Sequence, residues 1–262
     1  FFFFWKLITS KKRIPIGDAH FISGDLNLYK YTSNEDYLKE AKIIAEEVLK
    51  SSVSGFSGNC WGYPFNWMTT RGLWNSGVPL ITTTAYCFEA FLELYDETKE
   101  EQYLKIAHSI FLFALNDLKD TLIEENASAY RSYVLVEGAK RFKNDEALNK
   151  AKKNWNFILA NQNEDGSWLY AVNDKRDNFI DHFHTCFVLK NLYKVNCILK
   201  DERITSGIKK GFEFYKNNLF DKAGFPIPFA KLSRFNIVKT ELYDYAESIS
   251  LCIDVNDLDK DA

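Results

Sequence analysis

Hydrophobic residues recur every three to four positions in four separate stretches of the chain, each with a polar opposite face. The first stripe is Tyr37, Leu38, Ala41, Ile44, Ala45 and Val48. The second is Tyr103, Ala107, Ile110 and Ala114, with Leu104, Phe111, Leu115 and Leu118 beside it. The third is Leu148, Ala151, Trp155, Ile158 and Leu159, and the fourth Ile204, Ile208, Phe212, Tyr215 and Leu219. This spacing predicts amphipathic helices, each lying on an outer surface. Between them run segments that are apolar nearly all round: TAYCFEAFLELY (84–95), SAYRSYVLVEGA (128–139), HTCFVLKNLYKV (184–195), YAESISLCI (245–253) and the shorter SGDLNLYKY (23–31). A helix without a polar face is buried on most sides.

The connections between the two kinds of helix also recur. YTSNEDYL, DETKEEQYL, RFKNDEAL and LKDERI are short and polar and carry acidic residues. Acidic groups suit the first turn of the following helix, where they meet its positive dipole end. The repeating unit is a buried helix, a tight acidic turn, an amphipathic helix and a long loop, at an irregular period of roughly 45–65 residues. Two concentric layers of helices explain the pattern, so the expected fold class is all-α, an (α/α) toroid of helical hairpins. No strand series and no low-complexity linker stands out, which predicts one continuous domain over residues 1–262. Four hairpins and the start of a fifth are visible. A closed ring of six needs more chain, so the sequence reads as a piece of a longer protein or as an open ring. The aromatic start FFFFWKLI is expected to pack against another domain or chain; the alternative is a helix end buried within this domain.

Composition narrows the function classes. The net charge of the 262 residues is −3, and no basic block exceeds Lys11-Lys12-Arg13. That argues against an electrostatic nucleic-acid footprint. No apolar run reaches the roughly 18 residues of a membrane span. Five widely spaced cysteines without a C-x-x-C pair suggest neither a zinc ribbon nor a disulfide framework, and point to reduced thiols in the cytoplasm. No cofactor and no metal is expected.

In such a ring the short turns lie at one end, so the long loops 55–82, 162–184 and 219–232 are expected over the other. The loops hold an unusual share of large aromatics. Aromatic rings stack on the apolar faces of sugars. Trp61, Tyr63, Trp67, Trp74, Trp168 and Tyr170 are therefore candidate glycan-binding residues, and Arg71 a bidentate contact for a carboxylate or phosphate. The alternative is that the rings seal the barrel. IDHFHT places Asp181 at the entry of a buried helix with His184 three residues on, on one face. A carboxylate beside an imidazole can serve as an acid/base pair; the alternative is an N-cap aspartate with a histidine bonded into the core. Asp244 and Glu247, in ELYDYAES, are candidates for a second carboxylate. A separation of about 6.5–9.5 Å from the first would suit an inverting glycosidase; the alternative is a capping or solvated acidic face. Asn126, near the start of another buried helix, is a candidate for hydrogen bonding to substrate.

QNEDGSW resembles the repeat of squalene-hopene-type cyclases and protein prenyltransferases, which are α/α toroids; their acid and zinc motifs are missing here. A longer likeness runs through CWGYPFNW, TTTAYCFEAFLELYDET, QNEDGSWLY and IDHFHTCFVLKNLY. It resembles a group of toroid proteins associated with prokaryotic polysaccharide biosynthesis, akin to six-hairpin glycosidases, unsaturated glucuronyl hydrolases and N-acylglucosamine 2-epimerases. The resemblance implies a carbohydrate-active protein. Trp61, Tyr63, Trp67, Arg71, Asp165, Trp168, Asp181 and His184 match the group's pattern. Asn66 stands where an acid is usual, Met68 where Gln is usual and Cys186 where Gly is usual. The first departure leaves Asn66 as a substrate contact rather than an acid. The expectation is thus a protein acting on a glycan, by hydrolysis, elimination or epimerisation. The alternatives are a non-catalytic glycan-binding module and a terpenoid-type toroid.

Overall fold

The computed structural model describes residues 12–69, 72–118, 125–172, 178–232 and 239–257. They hold nine helices: α1 (Pro15–Thr32), α2 (Glu35–Lys50), α3 (Ile81–Thr98), α4 (Glu101–Asn116), α5 (Glu125–Phe142), α6 (Asp145–Ala160), α7 (His182–Leu199), α8 (Glu202–Asn218) and α9 (Leu242–Val255). The chain divides into two compact units, Phe1–Asp117 and Leu118–Ala262.

Four of the connections share one construction. The residue after α1, α3, α5 and α7 is Ser33, Lys99, Lys143 and Lys200, at φ 56°, 58°, 54° and 55°. The N–H of Ser33, Lys99 and Lys200 reaches back to the carbonyl of Tyr29, Tyr95 and Asn196, at 2.7, 2.7 and 2.9 Å. In three of the four the next residue also caps the following helix with its side chain, whereas Glu100 makes no such bond. Asn34 accepts from the Asp36 N–H, Asn144 from Ala147 and Asp201 from Arg203, at 3.0, 2.9 and 2.9 Å. A left-handed residue ends one helix and a side-chain oxygen starts the next, so the chain reverses within two residues. Each pair of helices is thereby forced into a hairpin.

In the first unit α1 packs on α2 and α3, and α3 on α4. Ile22, Leu26, Phe88, Phe91, Leu94, Ile110 and Phe111 form its core. In the second unit α5 packs on α6 and α7, and α7 on α8 and α9. Helices α3, α5 and α7 are buried on most sides, as their patterns predict. The two end helices differ. α1 buries Pro15, Ala19, Ile22 and Leu26 and exposes Phe21, Leu28 and Tyr31; α9 buries one stripe and exposes another. Two small sheets lie outside the sequence expectation. β1 (Trp67–Thr69) pairs antiparallel with β2 (Gly72–Trp74), and β3 (Ile180–Asp181) with β4 (Phe229–Lys231). Strands of two or three residues are too short to show an alternating pattern.

The DGSW motif is a loop clamp. Asp165 Oδ1 accepts from the Ser167 N–H and hydroxyl at 3.0 and 2.7 Å. Gly166 takes φ 95°, and a Cβ there would sit 2.3 Å from the Lys210 carbonyl oxygen of α8. Trp168, 4% exposed, donates its indole N–H to the Ile158 carbonyl at 2.9 Å. The loop is thus riveted between α6 and α8.

A second rivet joins α7, α8 and α9. His182 is fully buried. Its Nδ1 lies 3.1 Å from the Leu219 carbonyl, which can only accept, so Nδ1 carries the proton. Its Nε2 then accepts from the Tyr215 or Ser248 hydroxyl, each at 2.8 Å. Burial lowers the pKa of the imidazole; the nearby Asp244 charge opposes that shift without cancelling it.

Two outcomes follow. Gly166→Ala adds a side chain against backbone at a left-handed φ, and is expected to lower unfolding free energy by about 2–4 kcal/mol in denaturant titrations. His182, depressed in the folded state, binds a proton more readily when unfolded. Its contribution is complete above about pH 6.5 and is lost as pH falls below that. Replacing it by Gln should flatten the acid-side fall in stability by up to about 1.4 kcal/mol per pH unit, read from unfolding midpoints between pH 7 and 5.

Candidate active site

Asp181 ends β3 and precedes the first residue of α7. Its backbone is fixed on both sides. It pairs with Phe229 of β4, and its carbonyl accepts the Thr185 hydroxyl at 2.6 Å. The next residue, His182, donates its N–H to the Pro228 carbonyl at 3.0 Å. An aspartate at this position ordinarily caps the helix with its side chain. Here it makes no such bond. The carboxylate turns instead to His184, with Oδ2 2.6 Å from Nδ1.

The pair is set in place from all sides. The Asp181 side chain is 3% exposed and that of His184 21%. Phe183, Tyr170 and Phe187 place their ring centroids 4.5, 4.7 and 5.6 Å from the imidazole. Tyr170 is in turn stacked on Phe179 at 4.6 Å, and its neighbour Ala171 is bracketed by both atoms of the Asn178 amide. A carboxylate accepts and does not donate, so His184 Nδ1 carries a proton, and in the neutral imidazole Nε2 is then the nitrogen with the lone pair. The two histidines of the motif therefore divide the sequence alternatives between them. His182 is the one bonded into the core, and His184 pairs with the acid.

Beside the pair is a small cavity of about 10 Å³, lined among others by Asn126, Trp168, Tyr170, Asp181, His184 and Thr185. That is room for about one water molecule or one hydroxyl group. Asn126 Oδ1 is buried and has no hydrogen-bond partner among the described residues. An unpaired buried acceptor costs about 1–3 kcal/mol unless something donates to it. The Asn126 oxygen and His184 Nε2 are both acceptors, so the group that suits this site is a hydrogen-bond donor.

The other sequence candidates fall elsewhere. Glu247 Oε2 is 2.8 Å from Lys190 Nζ, a nearly buried ion pair between α9 and α7. Asp244 Oδ2 accepts the Glu241 N–H at 2.9 Å, closing a capping box at the start of α9. Neither lines the cavity at Asp181. The second carboxylate expected there is replaced by an amide, Asn126. Trp168, expected as a stacking platform, lines the cavity but is buried, and its indole N–H is committed to the Ile158 carbonyl. Thr185, Asn178 and Phe179 were not anticipated. The signal was their closeness in sequence to Tyr170 and to IDHFHT.

In the first unit Trp61 is fully buried, and its indole N–H donates to the Val48 carbonyl at 2.8 Å. It offers no free face, which corrects the expectation that it stacks on a sugar. Tyr63 is half-buried, 5.3 Å from the Phe65 ring and edge-on to Trp67 at 5.5 Å. Trp67 and Trp74 face each other across the β1–β2 ribbon and are 45% and 40% exposed. Asn66 Oδ1 accepts the Ser76 N–H at 2.8 Å and so braces the loop. Arg71 lies outside the described residues. The Cys186 thiol is fully buried, and burial raises its pKa. Among the described residues no three His, Cys, Asp or Glu side chains are grouped to hold a metal, and no helix is long and apolar enough to cross a membrane.

No sequence-family model matches the chain, and no curated protein sequence matches it. Solved structures do. The Lin0763 protein from Listeria innocua matches with a TM-score of 0.61 at 15% identity, over 82% of this chain and 62% of that one. Cellobiose 2-epimerase from Spirochaeta thermophila matches with a TM-score of 0.68 at 10% identity, over 94% and 71%. An unsaturated glucuronyl hydrolase specific for heparin matches with a TM-score of 0.68 at 11% identity, over 93% and 67%. The chain thus spans about two thirds of the length of these proteins. The fold is all-α, and the structures it matches are α/α toroids of the six-hairpin glycosidase-like kind.

Proposed function

We propose that this protein acts on a glycan and that the Asp181–His184 pair moves a proton at the sugar. The observation that carries the reading is the 2.6 Å bond between Asp181 and His184, side chains that both line the small cavity. An imidazole is suited to proton transfer near neutral pH. Asp181 stabilises the imidazolium as it forms, and the surrounding rings keep Nε2 aimed. Abstraction of a proton next to a carbonyl, with a proton from solvent delivered to the other face, is epimerisation. Abstraction followed by departure of a β-substituent is elimination.

These two classes are favoured over inverting hydrolysis. Hydrolysis of that kind needs a second carboxylate, and Asp244 and Glu247 are committed to a cap and to an ion pair. A sugar hydroxyl at the cavity would donate to Asn126 Oδ1, and Tyr170 would flank the ring. The carbohydrate-active enzymes that share the fold support the substrate class, and the polar cavity speaks against a terpenoid. A place in polysaccharide biosynthesis is part of the proposal. So is a reducing, cytoplasmic setting, which suits five cysteines that are all free.

A second reading rests on a different observation. The β1–β2 ribbon exposes Trp67 and Trp74 on a surface braced by Asn66, where the resembled group carries an acid. Such a ribbon would hold a glycan without changing it.

Two measurements separate the readings. Oligosaccharides of cello-, manno- and glucuronate-containing types are incubated in heavy water and followed by mass spectrometry. The active wild type is expected to leave deuterium at carbon or to yield an unsaturated product. Asp181→Asn should lower that turnover at least about 100-fold while glycan binding persists; undiminished turnover would reject the dyad. Trp67→Ala should weaken glycan binding by about 1–3 kcal/mol in calorimetry. Binding that depends on Trp67 with no chemical change in any glycan would select the second reading.

A further inference from the structure

The cavity beside Asp181 makes two demands on whatever enters it. The first is size. It holds about 10 Å³, room for one oxygen and its proton. Two of its walls cannot retreat. Trp168 lies so close against α8 that a Cβ added at Gly211 would sit 2.4 Å from the indole Cζ3, and the indole N–H is tied to the Ile158 carbonyl. Thr185 is held by the bond from its hydroxyl to the Asp181 carbonyl at 2.6 Å. Interiors packed this closely resist even one extra methylene.

The second demand is the direction of the hydrogen bond. Asn126 is 7% exposed, and its buried Oδ1 has no partner among the described residues. The Thr185 hydroxyl and the Trp168 indole have already spent their protons on backbone carbonyls, so neither can donate to a ligand. No Lys or Arg is among the described residues that line the cavity, and Asp181 is an acid. A carboxylate or sulfate placed there would meet a like charge and would offer Asn126 no hydrogen. Resting on the reading that the Asp181–His184 pair acts on a glycan, we propose that the cavity is a subsite for one unsubstituted sugar hydroxyl, which donates to Asn126. The same position is turned away when it is acylated, methylated, sulfated or replaced by an acetamido group. The substrate is therefore a sugar whose hydroxyl at that position is free, rather than an acetamido sugar or a uronate with its carboxylate there. Asn126 determines the preference for a donor, and the wall of Trp168 and Thr185 determines the limit on size.

The test uses the full chain and whichever of the cello-, manno- and glucuronate-containing oligosaccharides it turns over. Each hydroxyl of the reacting unit is replaced in turn by hydrogen, fluorine, methoxy or acetamido. Fluorine is small and accepts but does not donate, whereas acetamido keeps an N–H donor and adds bulk, so the two demands are read separately. At one position every replacement is expected to lower kcat/KM by about 10–100-fold. Asn126→Ala removes the acceptor and enlarges the cavity. In that variant the preference for hydroxyl over hydrogen at this position should shrink by about tenfold or more, and the methoxy sugar should gain on its parent. A parent sugar that is turned over while every position accepts fluorine or methoxy without loss would overturn the subsite and leave the glycan reading standing. So would a folded Asn126→Ala variant, checked by its melting curve, that slows all the sugars alike, because Asn126 would then be structural. If no parent sugar is turned over, the reading of the site itself fails, and the subsite with it.

Discussion

The structure depends on a reversal of chain direction within two residues. At Ser33, Lys99, Lys143 and Lys200 a side-chain-bearing residue is held in the left-handed region, at a cost of order 1 kcal/mol or more each. The cap hydrogen bonds at the turns offset part of that cost. The rest is offset by the burial that follows, because the reversal lays an amphipathic helix along the back of an apolar one. Each large apolar side chain so buried contributes about 1.5–3 kcal/mol. The turn and the core are therefore one device. The turn is tolerated only because the hairpin packs, and the hairpin packs in register only because the turn is that short.

The same constraint explains how polar groups come to lie at the heart of the second unit. α7 is packed by helices on several sides, yet carries His182, Lys190 and Asn191 buried within it. Each is answered by a named partner: His182 by Leu219, Tyr215 and Ser248, Lys190 by Glu247 and Ser250, Asn191 by the Phe187 carbonyl. Removing one partner of such a set costs several kcal/mol, since the other is left desolvated. These bonds fix the height and rotation of α7 against α8 and α9. The orientation of Asp181 and His184, at its first turn, is set as a consequence.

Helix type and order were legible in the chain because the period of 3.6 is strong wherever one face is wet and the other dry. The segments that mislead are the two end helices. SGDLNLYKY and YAESISLCI read as buried all round, but burial on a given side needs a neighbour, and sequence pattern does not show whether one is present. The left-handed turn residues were illegible for another reason: Ser and Lys carry no preference for that conformation, unlike Gly or Asn. Of the site, the i,i+3 spacing of Asp181 and His184 was readable, since helix geometry alone puts the two on one face. The misplaced candidates all involve aromatic or acidic side chains whose role is set by what lies opposite. Trp61 finds the Val48 carbonyl, Glu247 finds Lys190, and neither partner is near in sequence.

The identity of the groups around the cavity then limits the chemistry more sharply than the fold does. A site built for an anion would aim N–H donors at the cavity, whereas the unsatisfied atom here is a carbonyl oxygen. Its neighbour is an imidazole whose donor side is already used by a carboxylate at 2.6 Å. Both remaining positions ask for a hydrogen. A hydroxyl group satisfies the amide, and an acidified C–H or O–H satisfies the imidazole, so a polyol bearing a carbonyl meets both demands at once. An apolar hydrocarbon would leave both acceptors desolvated, at a cost of about 1–3 kcal/mol for each. That asymmetry, rather than any count of aromatic rings, is the physical ground for the proposal that the site takes a sugar.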